Sequence, residues 1–185
     1  MVRIHVVSPE EAQGELEKVY REVTRARGSI AQVYQVQGLN PRALKAHLEL
    51  YMVLLYGESP LSRRERELLG VVTSQANQCG YCVAHHSDAL NRYLRDDGAV
   101  KELREGRVPA MLTPRERVLV RWAKTLGKTP PTAADEDVQI LRRVGFSDRE
   151  ILDATMIVGY FHFVNRIVIG LGVELEPVGE QKYQY

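Results

Sequence analysis

Cysteine is scarce here, with two residues in a chain of 185. One disulfide at most can form, so this is not a disulfide-built secreted scaffold, and a chain of this length buries enough surface to need none. No charge of one sign dominates: 25 basic and 24 acidic residues leave a net charge of +1. That balance gives no electrostatic footprint for nucleic acid or an anionic membrane. A glycine-rich phosphate loop and a sequential acid pair of the glycosidase kind are both missing. The start, MVRIHVVSPEEAQ, lacks an apolar signal core and a small-residue cleavage site, and is expected to be a mature cytoplasmic terminus. Long apolar runs are few. The most apolar, ILDATMIVGYFHFVNRIVIGLG from Ile151 to Gly172, is long enough to span a bilayer. It carries Asp153, His162, Asn165 and Arg166 in its interior, and placing those groups in hydrocarbon is costly. A buried core helix outside any membrane is therefore expected.

What is present reads as an ordinary globular protein, 44% hydrophobic and 26% charged. One domain over residues 1–185 is expected. Helix signals dominate. Ser8, Pro9 and Glu11 form a capping box that opens a helix running to Gly28, and Asn40 and Pro41 open another that Gly57 closes. Three more boxes pair Ser62 with Glu65, Thr113 with Glu116, and Ser147 with Glu150. Strand evidence is thin: VRIHVV alternates briefly and has no later partner, so residues 1–7 are expected to be an extended arm, placed to lie on a neighbouring subunit. Residues 173–185 look like a tail with two exposed tyrosines. The fold class is all-α, with roughly seven to eight helices. LSRRERELLG from Leu61 and FSDREILDAT from Phe146 share a start, and the same offset pairs Cys79 with Val164, Cys82 with Ile167 and His86 with Leu171. Either a decayed repeat or a chance likeness of two capping boxes explains it.

Both cysteines fall in ANQCGYCVAHHSD, Ala76 to Asp88. On a helix Cys79, Cys82 and His86 share one face, with His86 one turn beyond Cys82 and His85 roughly 60° further round. Asn77 is a good cap, so a helix start near Asn77 or Gln78 is expected, with both cysteines in its first turn. Unpaired amides and the helix dipole there stabilise a thiolate. Haem attachment fails because Val83, not histidine, follows Cys82. Structural zinc needs four ligands, and the cluster supplies three; the fourth would have to be His5, His47, His162 or a carboxylate. Besides zinc, an inert buried pair and a redox dithiol remain open, and the adjacent histidine favours the dithiol over the inert pair. A redox dithiol needs one thiolate to attack an oxidised substrate, the other to resolve it, a base such as His86, and a carboxylate to orient that base. Glu67, on the preceding helix, is a candidate carboxylate. By local chemistry it is equally a solvated surface group, as Arg63, Arg64, Glu65 and Arg66 beside it read.

Glu67, a gap of twelve, then Cys79-x-x-Cys82-x-x-x-His86 resembles the active-site pattern of the alkyl hydroperoxidase D-like members of the carboxymuconolactone decarboxylase family, within its peroxidase-related branch. The likeness covers residues 61–94 closely and Asn40 to Leu171 loosely. It implies an alkyl hydroperoxidase D-like all-α fold that assembles as trimers or hexamers, and thiol-dependent peroxide reduction with no cofactor and no metal. Partners would be a hydroperoxide or other oxidised substrate and a thiol reductant protein or small dithiol. Carried over, Cys82 attacks, Cys79 resolves, His86 moves the proton and Glu67 orients it. One departure stands out: Tyr81 occupies a position where the alkyl hydroperoxidase has histidine. A phenol is a poor proton shuttle at neutral pH, and His85 is the nearest substitute. His162 is a further candidate, either lining a pocket over the cysteines or satisfied in the core. Trp122, Tyr51 and Tyr56 read as core or subunit interface. The rival readings are a zinc-binding structural module and a non-catalytic binding or assembly protein on the same scaffold.

Overall fold

In the computed structural model, which describes residues 2–128 and 130–176, the described chain is all-helical with nine α-helices and no strand. They are α1 Gly14–Arg27, α2 Gln32–Gln35, α3 Pro41–Tyr56, α4 Arg63–Ala76, α5 Gly80–Leu94, α6 Asp97–Arg104, α7 Pro114–Leu126, α8 Asp135–Arg143 and α9 Asp148–Leu171. The chain divides into two compact units, one formed by Met1–Met52 with Arg166–Tyr185 and the other by Val53–Asn165.

In the first unit the Ser8–Glu11 box forms, with Ser8 N–H donating to Glu11 Oε2 at 3.2 Å and Glu11 N–H to Ser8 Oγ at 3.3 Å. It closes an isolated turn, and α1 begins only at Gly14. The reason is local: Gly14 has φ +62°, a left-handed conformation through which a right-handed helix cannot run. Within the expected arm, residues 2–7 are irregular, and Arg3 is held by its own chain. Arg3 N–H donates to Leu171 O at 2.9 Å, and its guanidinium reaches Ile169 O and Gly170 O at 2.9 and 2.8 Å. A cation on the orphan carbonyls at the end of α9 is favoured by the helix dipole. The start of the tail is held too, since Glu176 Oε1 accepts from Gln32 N–H at 2.9 Å. Tyr183 and Tyr185 lie outside the described residues. Asn40 caps α3 through Ala43 N–H at 3.2 Å, as its sequence position implies.

In the second unit α4 is the centre, packed by α5, α6 and α7. Its entry is fixed by a lattice of capping boxes. All three boxes form, and all three read Ser/Thr-x-Arg-Glu. The arginines link them across the fold. Arg64 Nε donates to Glu116 Oε1 at 2.5 Å, Arg115 Nε donates to Glu65 Oε1 at 2.7 Å, and Arg115 Nη2 pairs with Glu150. The amino termini of α4, α7 and α9 are thereby tied together, and Arg115 also stacks on Phe146 with 3.6 Å to the ring centroid. Arg66 is buried and donates to Gly57 O at 2.9 Å. The arginines and Glu65 of this segment are thus structural links, which corrects their reading as a solvated first turn.

Helix α9 is long and apolar enough to cross a membrane by length and composition, but much of it is buried in the protein. Ala154, Ile157, Val158, Phe161 and Val164 face the core, while Leu152, Met156 and Phe163 are exposed. Trp122 is buried and donates to Thr155 Oγ1 at 3.2 Å, whereas Tyr56 is half-buried beneath Arg63. The two suspected repeat copies diverge at the end of α4: α4 breaks at Asn77, while α9 runs unbroken through the matching position, His162.

Candidate active site

The cysteines sit at a sharp corner between two helices. Helix α4 ends in a Schellman turn, in which Gln78 N–H donates to Gln75 O at 3.0 Å and Cys79 N–H to Ser74 O at 2.9 Å. Gln78 holds the left-handed position with φ +57°, where glycine is usual. Helix α5 then begins at Gly80 with Cys79 as its N-cap and Cys82 as its third residue. The start expected near Asn77 is therefore moved, because Asn77 closes α4 and its side chain is committed elsewhere. Its Nδ2 lies 3.1 Å from His162 Nδ1 and donates to Asn165 Oδ1 at 2.9 Å.

Both cysteines are free thiols, 1% and 4% exposed. They interact as a pair. A hydrogen bond from the Cys82 thiol, opposed by burial, holds the Cys79 thiol below its ordinary pKa. Donating that bond, together with burial, pushes Cys82 well above its own. Such a pair shares its first ionisation, and the sulfur that accepts the bond carries the charge best.

Glu67 is fully buried on α4 and reaches across to α5. Its Oε2 lies 2.7 Å from His86 Nδ1, and its Oε1 accepts from Arg63 Nε at 2.8 Å and Nη2 at 2.5 Å. Burial alone raises the carboxyl pKa, but His86 and Arg63 outweigh it and hold it below the usual range. Arg63 is itself sandwiched, its guanidinium 3.7 Å from the Tyr56 ring centroid. A charged carboxylate only accepts hydrogen bonds, so the His86 proton belongs on Nδ1 and the basic lone pair on Nε2. Phe161 of α9 fixes the imidazole from another side, edge-on with centroids 4.6 Å apart. That ring fits because residue 70 is glycine: a Cβ there would meet Phe161 Cζ at 2.5 Å.

The structure thus joins Glu67 to His86 and Cys79 to Cys82. Tyr81 and His85, both buried, form their own ring pair at 4.5 Å. His162 lies by Asn77, two residues before Cys79. Among the described residues no group of three or more His, Cys, Asp or Glu is placed to hold a metal ion.

Residues 41–125 match the carboxymuconolactone decarboxylase family, a span that holds Glu67, Cys79, Cys82 and His86. That match covers a little under half of the chain and supports the family likeness read from the sequence. Two solved structures are similar over nearly the whole chain. One is an uncharacterised peroxidase-related protein from Silicibacter sp. TM1040, 27% identical with a TM-score of 0.79 over 91% of this chain and 87% of that one. The other, from Ralstonia eutropha JMP134, is described as an alkylhydroperoxidase AhpD core, 25% identical with a TM-score of 0.84 over 95% and 92%. The debrominase Bmp8 shares the fold at 20% identity, with a TM-score of 0.77 over 92% and 90%. The fold is the AhpD-like one.

Sequence reasoning missed Arg63, Asn165 and Gly70. Arg63 and Glu67 carry a readable signal, an acid and a base four apart on one helix. Asn165 lies beyond the family match, and its only signal is an amide stranded in an apolar run.

Proposed function

We propose that the protein is a thiol-dependent, peroxidase-like oxidoreductase that reduces a hydroperoxide, or another oxidised small molecule, with its Cys79–Cys82 dithiol. The observation that carries this reading is the 2.7 Å contact between buried Glu67 and His86, one helical turn beyond Cys82. A carboxylate held charged by Arg63 and set against an imidazole is what a thiol nucleophile needs to lose and regain a proton. The peroxidase-related and AhpD-core names of the two similar structures support the same reaction class.

In this mechanism Cys82 gives its proton to His86 Nε2, and Glu67 stabilises the imidazolium. The Cys82 thiolate attacks the outer peroxide oxygen: an S–O bond forms, the O–O bond breaks, and the alkoxide takes the proton back from His86 and leaves as alcohol. Cys79 then attacks the Cys82 sulfenic acid. An S–S bond forms, the S–O bond breaks, and the hydroxide leaves as water with the Cys79 proton. The peroxide gains two electrons and the dithiol loses two. A thiol reductant protein or small dithiol restores the pair by exchange. In the resting pair the Cys82 hydrogen bond favours charge on Cys79, so attack through Cys82 requires the shared proton to move first. The proposal includes a cytoplasmic setting, where thiols stay reduced, and assembly as a homo-oligomer, a trimer or hexamer.

Mass spectrometry after one equivalent of peroxide tests it, with the loss of two hydrogens as a disulfide forms the expected result. Cys79→Ser retains a trappable sulfenic acid on Cys82, and Cys82→Ser abolishes peroxide consumption. Sulfenylation surviving in Cys82→Ser instead would reverse the two roles. Unmodified thiols under excess peroxide, or stoichiometric zinc on the thiolates, would overturn the reading.

A further inference from the structure

A buried amide in the apolar run of α9 has no part in the mechanism above, and its surroundings explain why it is there. Asn165 is fully buried. Its Oδ1 accepts from Asn77 Nδ2 at 2.9 Å, and its Nδ2 donates to Ser74 Oγ at 3.1 Å. With Asn77 Nδ2 as the donor, turning over Asn165 alone would set two NH2 groups against each other. Both partners belong to the corner that carries the cysteines: Ser74 O accepts from Cys79 N–H at 2.9 Å, and Asn77 closes α4 two residues earlier. One N–H of Asn165 is used on Ser74. A side-chain hydrogen bond from Asn165 acts to lower the pKa of both thiols, and the second N–H is the group that can supply it.

We infer that Asn165 is a positioning residue for the dithiol: clamped by Ser74 and Asn77, its amide turns one N–H toward both sulfurs and stabilises whichever is the thiolate. A thiolate is a far better acceptor than a thiol, so a fixed donor favours the ionised form. Its effect on both cysteines is in that direction. The titratable groups on the helices around the pair include Arg63, Arg66 and Glu67 on α4, Tyr81, His85, His86 and Asp88 on α5, and Tyr160, His162 and Arg166 on α9. Asn165 is uncharged, so removing it alters the thiols without changing the charge of the site. The inference deepens the dithiol reading, yet it is tested without any oxidant, so either can fail while the other stands.

The test is the ultraviolet absorbance of thiolate against pH, on the reduced full-length parent, Asn165→Leu and Ser74→Ala. Asn165→Leu is expected to raise the first thiol midpoint by about one pH unit or more, the worth of one hydrogen bond to a charged group. Ser74→Ala keeps the amide and loses only its clamp, so its midpoint moves less. A folded Asn165→Leu with an unchanged midpoint overturns the inference. Should that variant not fold, the parent decides: the side-chain NH2 resonance of Asn165 is expected to titrate with the thiolate absorbance. A resonance indifferent to thiol ionisation overturns the inference.

Discussion

Glu67→Gln is the most informative single change, because it keeps the shape of the side chain and removes only its charge. Two consequences follow from the contacts at 2.5 to 2.8 Å that Glu67 makes with Arg63 and His86. The first is on stability. Removing one member of a buried ion pair costs about 3–5 kcal/mol; Gln still accepts one bond and Arg63 keeps its Tyr56 stack, so about 2–3 kcal/mol is expected here. The second is on chemistry. Gln must give its oxygen to Arg63, which turns its NH2 toward His86 Nδ1. The imidazole then carries its proton on Nε2 and loses its base there, and a general base is worth about 100- to 10,000-fold. Urea melts give the first quantity, and the rate of Cys79–Cys82 disulfide formation under peroxide gives the second. A double replacement, Glu67→Leu with Arg63→Met, separates them, since it is expected to recover stability without recovering rate. Glu67→Gln that folds and oxidises at the parent rate would refute the relay. The pH dependence carries a sign as well. Glu67 is held below its ordinary pKa, so its contribution is present above about 4.3, the unfolded value, and is lost as pH falls through the lower folded value. Glu67→Gln flattens acid unfolding in that window.

Gly70→Ala would place a Cβ 2.5 Å from Phe161 Cζ. Overpacking of about 1–3 kcal/mol is offset by about 1 kcal/mol of helix propensity, so urea melts should show a net loss that Phe161→Leu relieves. His47 is buried, which lowers its pKa to about 4; with an unfolded value near 6.5, its neutral form stabilises the fold above pH ~6.5, and up to about 3 kcal/mol is lost as pH falls toward 4. His47→Gln should flatten the stability curve across that window. Arg115→Met removes the link between the boxes of α4 and α9 and is expected to cost about 1–2 kcal/mol, while a double replacement with Glu65→Gln should cost less than the sum.

The legible parts of this protein are the ones a few neighbouring residues decide. A Ser or Thr three residues before a Glu specifies its own hydrogen bonds, so the starts of α4, α7 and α9 could be placed from the letters, and helical spacing alone put His86 one turn past Cys82. The same logic failed where a neighbour intervened: Ser8 makes its box, but Gly14 stops the turn from growing, and Asn77 caps the end of α4 rather than the start of α5.

What the letters could not show is who stands across the gap. Arg63 and Glu65 look like surface charges until the fold gives Glu67 and Arg115 as partners, and Glu67 is surface or relay depending only on whether α5 comes back beside α4. Asn165 lies 83 positions past Cys82 and meets the thiols only through the packing of α9. By itself, then, the sequence determined the helices and the spacing of the dithiol, because those rest on hydrogen bonds within a turn. The tertiary structure decided which carboxylate is buried, which nitrogen of His86 faces it and which amide is clamped at the cysteine corner, because burial and partners are set by residues far away in the chain.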